Sequence, residues 1–382
     1  MIKKTRLFTP GPTPLLPEAM AALAQSEVHH RTAGFQAVYK QVLQDLRYFF
    51  GTRHDVLLFT SSGTGAMESA VSNLFSAGDR VAVASAGKFG ERWVEICRAF
   101  GLQVEVVEAP YGEPVEPDAV REKLRGGGFA GLFFQASETS TGVAHDVKGL
   151  AAAGKEAGAL VIVDAITGLG TMDLDIDGWG LDVVIGGSQK SLAIPPGLAF
   201  ASVSAAALER SARSTLPRYY FSYAKEKAAA DKGDASWTPS TALVLAMAKS
   251  LEYVRNLGRE NLIANAARLA EATRAAAVPM HLRVFASRPS PAVTALCPPK
   301  GLDAGKLIKA MHDRFGIILA DGQGSMKGKI FRLAHLGYYD FPELAGCIAS
   351  MEIVLNELGY PCDLGAGVRA AQEIFETTDA HR

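Results

Sequence analysis

Seven short, apolar, β-rich runs separated by helical segments between residues 55 and 203 constrain this chain more than any other feature. They are Val56-Leu-Leu-Phe59, Arg80-Val-Ala-Val83, Val104-Glu-Val-Val107, Gly131-Leu-Phe-Phe134, Leu160-Val-Ile-Val163, Asp182-Val-Val-Ile185 and Leu198-Ala-Phe-Ala-Ser-Val203. This alternation predicts an α/β fold: a mostly parallel, seven-stranded sheet covered by helices on both faces. Ligands of such sheets gather outside the carboxyl ends of the strands, so the loops after these runs are where chemistry is sought. At 382 residues, 48% of them hydrophobic, the chain has material for two domains. We expect an N-terminal arm and large domain over residues 1–255 and a smaller C-terminal α+β domain over 256–382. The small domain has strands expected near 282–286, 292–297, 316–320 and 329–334, with helices near 302–314 and 341–357. Residues 204–237, aromatic at first and then polar, read as a long surface excursion open to a second subunit. The residues after Gly367 read as a terminal helix or a frayed tail.

Charge excludes some partners. Lys and Arg number 39 against 40 Asp and Glu, and no basic block appears, so nucleic acid is not an expected partner. No apolar run is long enough to span a bilayer, so no membrane partner is expected. Cys97, Cys297, Cys347 and Cys362 are scattered, with neither metal-ligand nor disulfide-framework spacing, which suits a reducing cytoplasm. His29-His30 lacks accompanying acids or cysteines, so no metal site is expected; Arg31 stays open as an active-site or interface cation. Lys225 and Lys227 belong to a solvated charge run, and His335 to a buried structural role.

Three strand-end features bear chemistry. The run from Asp182 breaks at Gly186-Gly187 and presents Lys190 before Pro195-Pro196-Gly197 turns the next corner. A lysine in a glycine-walled turn at a strand end suits amine chemistry. After Phe59 comes Thr60-Ser-Ser-Gly-Thr64-Gly-Ala-Met-Glu68, where small residues open a helix. Its free N–H groups and dipole make a phosphate cradle, with the Ser62 and Thr64 hydroxyls as further donors and Gly63 between them. The loop fits neither G-x-x-x-x-G-K-[ST] nor G-x-G-x-x-G, so a monophosphate suits it better than a nucleotide. The third feature is Asp164, an acid ending an apolar strand, which needs a cationic or hydrogen-bonded partner if buried. It precedes the lysine by 190 − 164 = 26 residues, about one further helix-and-strand unit. Neighbouring strand ends would thus present acid and amine to opposite ends of one flat cofactor, and pyridoxal 5'-phosphate is the economical candidate. Lys190 would take its aldehyde as a Schiff base and later act as acid and base, Asp164 would hold the ring nitrogen protonated, and the 62–64 loop would seat the phosphate.

Thr9-Pro-Gly-Pro12, Ser61-Ser-Gly-Thr-Gly-Ala-Met-Glu68, Glu138-Thr-Ser-Thr-Gly142, Val163-Asp164 and Gly187-Ser-Gln-Lys190 with Pro195-Pro-Gly197 occur in this order. In that combination the chain resembles the class V aminotransferases, specifically the alanine-glyoxylate and serine-glyoxylate (serine-pyruvate) branch, up to Gly328-Lys-Ile-Phe-Arg-Leu-Ala-His-Leu-Gly337. The resemblance implies the PLP-dependent transferase fold of type I and a homodimer whose site is shared between subunits. It implies that Phe89 stacks on the cofactor, that Thr139 and Ser140 lie by the ring hydroxyl and the substrate, and that Gln189 binds phosphate. Thr238 would reach the phosphate from the other subunit, Arg332 would grip the substrate carboxylate, and Gly11 would offer its N–H nearby. Two positions depart from some relatives: Thr64 stands where they have histidine, and Asp234-Ala-Ser-Trp237 lacks a tyrosine found just before the threonine.

The expected activity is a ping-pong transfer of an amino group from alanine or serine to glyoxylate or pyruvate, a substrate preference implied by the resemblance alone. One rival is cysteine desulfurase or lyase chemistry on the same fold. Cys297, before Pro298-Pro299, is poorly placed for the mobile-loop cysteine this requires. The other rival is a non-catalytic subunit retaining the fold, because some bacterial relatives carry the names of hydrogenase subunits. An intact lysine, aspartate and arginine set argues against it.

Overall fold

The computed structural model describes residues 2–25 and 28–379. Its central sheet has seven strands in the order Asp55–Ser61, Gly197–Val203, Val183–Gly187, Leu160–Asp164, Gly131–Gln135, Arg80–Ser85 and Gln103–Glu108. Only Gly197–Val203 runs against the others, pairing antiparallel with both neighbours. All seven expected runs are therefore strands of one mostly parallel sheet.

Alternation along each strand sends side chains to two cores. Val56, Leu58, Val161, Val163 and Val184 face one layer, which includes the Ala33–Phe50 and Thr241–Leu257 helices. Leu57, Phe59, Ile162, Val183 and Ile185 face the other, formed by the Gly63–Leu74 and Lys88–Ala99 helices. Both faces being covered explains why these strands read as nearly continuous apolar runs.

A four-stranded antiparallel sheet builds the smaller unit, in the order Arg283–Val284, Val293–Cys297, Phe331–Ala334 and Ala320–Asp321. Helices Arg259–Ala277, Ala304–Phe315 and Phe341–Glu357 cover it, and the chain ends in a helix, Ala366–Asp379. The N-terminal arm begins in this unit: Arg6–Leu7 pairs in parallel with Ile317–Ile318, and buried Phe8 joins the small core.

Residues 204–237 differ from the expected surface excursion. They contain two helices, Ala205–Arg213 and Tyr223–Ala230, each capped by a serine, Ser204 and Ser222. Tyr223 is fully buried, its ring stacked on Phe59 at 6.2 Å, and Asn73 fixes the segment by accepting from the Tyr223 N–H at 2.9 Å. These helices are too short for their periodicity to stand out from the flanking aromatics. Tyr219 and Tyr220 alone of this aromatic stretch remain exposed.

Candidate active site

Lys190 follows the Val183–Gly187 strand in a turn tied on several sides. Ser188 Oγ donates to the Pro195 carbonyl at 2.8 Å, and Ser191 Oγ to the Leu169 carbonyl at 2.7 Å. The proline-stiffened arm straps the turn from above. Thr13 Oγ1 donates to the Lys190 carbonyl at 3.0 Å, the Leu16 N–H to the Ala193 carbonyl at 2.9 Å, and the Lys190 amine itself to the Pro10 carbonyl. The arm is thus a wall of the site, running from the small sheet across the lysine.

Lys190, Phe89, Thr139, Gly11 and Arg332 line one cavity of about 350 Å³ between the large sheet, the arm and the small sheet. Burial lowers the Lys190 pKa to about 8, against the upward pull of Asp164; the Arg332 and Arg92 charges lower it further. Burial raises Asp164 to about 6, opposed by the Ile166 N–H, which donates to Oδ1 at 2.9 Å, and by the Lys190 and Arg92 charges. Each buried group is therefore the other's counter-charge. Their strands are neighbours, with Asp164 in register with Ile185.

Arg332 stands on the Phe331–Ala334 strand and is 5% exposed. Nε and Nη2 donate to the Asp321 carbonyl at 3.0 and 2.6 Å, and Nη1 to the Thr139 carbonyl at 3.1 Å. Three of the five guanidinium N–H groups are used, which leaves two to bind a carboxylate in the cavity.

Ser62 precedes the Gly63–Leu74 helix as its N-cap residue without bonding its backbone, so its hydroxyl is free of capping duty. A Cβ at Gly63 would press on the Ile166 side chain and one at Gly65 on Ser61, so both glycines lie close against neighbouring loops. Ile166 also packs near Gly187, which joins the loops after three strands. Gln189 Oε1 is buried without a partner. An open helix start beside an unsatisfied side-chain amide, whose oxygen and nitrogen ends are interchangeable in such an assignment, fits an anionic group. With the amine and the carboxyl, the residues present suit pyridoxal phosphate.

Ser140 and Thr238 are not among the residues lining the Lys190 cavity of their own chain. The Ser140 hydroxyl accepts from the Lys88 N–H at 3.0 Å and donates to the Glu138 carboxylate, so it braces the loop, while Thr139 faces the cavity. Thr238 is exposed and lies outside the Lys190 cavity.

Glu138 and Arg92 carry weight that the sequence reading did not give them. Glu138 is fully buried and accepts from the Phe89, Gly90 and Ser140 N–H groups at 3.1–3.2 Å. It caps the Lys88–Ala99 helix from a distant loop and so places Phe89. A carboxylate just ahead of a Thr-Ser-Thr turn was the available signal.

A large and a small sheet, with a buried lysine and arginine on one cavity between them and a buried aspartate behind the lysine, define an amine-handling α/β enzyme. The family model for class V aminotransferases matches residues 16–337, and the chain belongs to that family; it is a transaminase. Membership implies pyridoxal phosphate as the cofactor. The chain is 43% identical to the soluble hydrogenase 42 kDa subunit of Anabaena cylindrica, over 98% of this chain and 100% of that one. It is 34% identical to the serine–glyoxylate aminotransferase of Methylorubrum extorquens, over 96% and 95%. Among solved structures, the subgroup IV aspartate aminotransferase of Thermus thermophilus superposes with a TM-score of 0.86 at 40% identity, covering 92% of this chain and 99% of that one.

Proposed function

We propose that Lys190 holds pyridoxal phosphate and that the enzyme passes an amino group from alanine or serine to glyoxylate or pyruvate in two half-reactions. The observation that carries this reading is the single cavity onto which the Lys190 amine and the Arg332 guanidinium both open, with Asp164 buried behind the amine. Bound there, the cofactor supplies an aldehyde for the amine and a protonated ring that draws off the electron pair left by a departing α-proton. Arg332 orients the substrate through its carboxylate, using the two free N–H groups. The Lys190 amine, about half neutral at pH 8, takes the α-proton and returns it one atom away. Asp164 holds a proton on the ring nitrogen, and that cation replaces the lysine as its partner. Phe89 covers the ring, and Ser62, Gly63, Thr64 and Gln189 hold the phosphate.

The cations lining the cavity are Lys190 and Arg332, both already engaged, and its remaining walls include Leu7, Pro10 and Ala320. This suits a short side chain without a second carboxylate. The Thermus thermophilus enzyme named for aspartate makes that donor the necessary comparison. Thr238, on an exposed segment beside Trp237, reaches the phosphate of a second copy in this reading, which makes the homodimer the working unit, in the cytoplasm.

Spectroscopy of the loaded protein tests the assignment. Alanine or serine shifts the cofactor's visible absorption and glyoxylate restores it, while aspartate acts less well. A spectrum unmoved by any amino acid overturns the transaminase reading; a preference for aspartate overturns only the substrate class.

A further inference from the structure

Arg92 faces the site from a side that the cofactor reading leaves unused. It lies on the Lys88–Ala99 helix one turn beyond Phe89, and its guanidinium carbon sits 4.8 Å from the Phe89 ring centroid. Nη1 donates to Thr64 Oγ1 at 3.3 Å, in the first turn of the Gly63–Leu74 helix. The charge is close enough to depress both the Asp164 carboxyl and the Lys190 amine. Among the described residues Arg92 has no carboxylate within ion-pair distance. A half-buried guanidinium with no carboxylate beside it raises the cost of a charge on the buried Lys190 amine. An anion placed between them removes the conflict.

We propose that Arg92 is a phosphate-binding residue of the cofactor site, clamping the group against the start of the Gly63–Leu74 helix while the Phe89 ring holds its plane. The proposal rests on the pyridoxal phosphate reading above. Several observations converge on the same spot: the Thr64 contact places the guanidinium at the cradle, Gly63 and Gly65 pack closely against Ile166 and Ser61 there, and the Gln189 side-chain amide, whose NH2 end can donate to a phosphate, stands by Gly187. A guanidinium offers a fork of donors to a phosphate, and its charge offsets the dianion where the neutral Thr64 does not. Stacking on Phe89 fixes the plane of the fork, so one helix supplies both the cover over the ring and the clamp on its phosphate.

The test compares pyridoxal phosphate with pyridoxal, which lacks the phosphate, as ligands of the cofactor-depleted full-length protein. Wild-type protein binds the phosphate ester far more tightly. Arg92→Gln weakens pyridoxal phosphate binding by about 10- to 100-fold and leaves pyridoxal binding within about 2-fold. Arg92→Lys, which keeps the charge and loses the fork, recovers part of the difference. Inorganic phosphate, as a competitor that slows cofactor uptake, loses its effect in Arg92→Gln. Equal weakening of both ligands makes Arg92 a structural brace of Phe89 and overturns the proposal, as does unchanged binding of both. Wild-type protein that captures neither ligand overturns the underlying cofactor reading instead.

Discussion

A Cβ placed on Gly11 would lie 2.7 Å from Cε and 2.8 Å from Cδ of Lys190, with the amine nearer still. The residue also has φ +124°, a conformation that side chains rarely adopt. The arm therefore crosses the lysine at a point where only glycine leaves room for it. Gly11→Ala should lower kcat by roughly 10²-fold, because displacing a reacting group by about 1 Å is enough to do so. Fold and secondary structure should persist, since the clash falls on a flexible side chain and a loop. Turnover measured beside circular dichroism checks this, and unimpaired turnover would show that the lysine has another position open to it.

The Lys190 amine predicts a pH profile for cofactor uptake. Only the neutral amine attacks an aldehyde, so the rate at which cofactor-depleted protein captures pyridoxal phosphate should rise with pH and level off above about 8. An exposed lysine would keep gaining up to its ordinary value of 10.5. The signs of the neighbours follow. Asp164 favours the charged amine, so Asp164→Asn should move the midpoint down. Arg332 disfavours it, so Arg332→Gln should move the midpoint up. Stopped-flow uptake across the pH range reads all three, and Lys190→Met should abolish covalent capture at every pH.

Arg332 should act on the substrate far more than on the cofactor. Its carbonyl contacts to Asp321 and Thr139 fix the fork, and the free N–H groups face the cavity. Loss of a buried, charge-assisted pair should reduce kcat/KM for the amino donor by about 10²-fold or more in Arg332→Gln. Cofactor affinity should change little. Arg332→Lys should recover little, since an ammonium lacks the planar fork. Steady-state kinetics with alanine and serine, set beside a cofactor titration, separates the two effects.

Much of this site was legible in the chain because its parts sit at strand ends, where local pattern and chemistry coincide. Lys190 follows a glycine pair, Asp164 closes an apolar run, and the 62–64 loop opens a helix with small residues. The rest depends on contacts between distant segments. Nothing local in Arg6–Leu7 announces a partner at Ile317–Ile318, yet that pairing aims the arm at the lysine. Nothing in the sequence around Arg92 marks it, and only the fold brings its guanidinium to Thr64. Ser140 was legible as part of a site loop, but its bond to Glu138 was not. That carboxylate takes the Ser140 hydroxyl, while the Thr139 hydroxyl pairs with that of Thr167 at 2.9 Å and the residue itself lines the cavity.

Glu138 also gives a prediction of its own. One carboxylate oxygen accepts from the Phe89 and Gly90 N–H groups, the other from the Ser140 N–H and hydroxyl, and burial raises its pKa against these bonds. Glu138→Gln keeps the shape but turns an NH2 toward one of the two donor pairs. Buried donors facing a donor should destabilise the large domain by about 2–4 kcal/mol. Because the same carboxylate anchors the helix start bearing Phe89 and the loop bearing Thr139, cofactor affinity should fall as well. Chemical denaturation followed by tryptophan fluorescence reads the first effect, since Trp93 lies on that helix, and cofactor titration reads the second. A Glu138→Gln protein with wild-type stability and weakened cofactor binding would place Glu138 in direct contact with the cofactor. Loss of both would fit a remote helix cap, because the helix that carries Phe89 would then lose the acceptor holding its first turn.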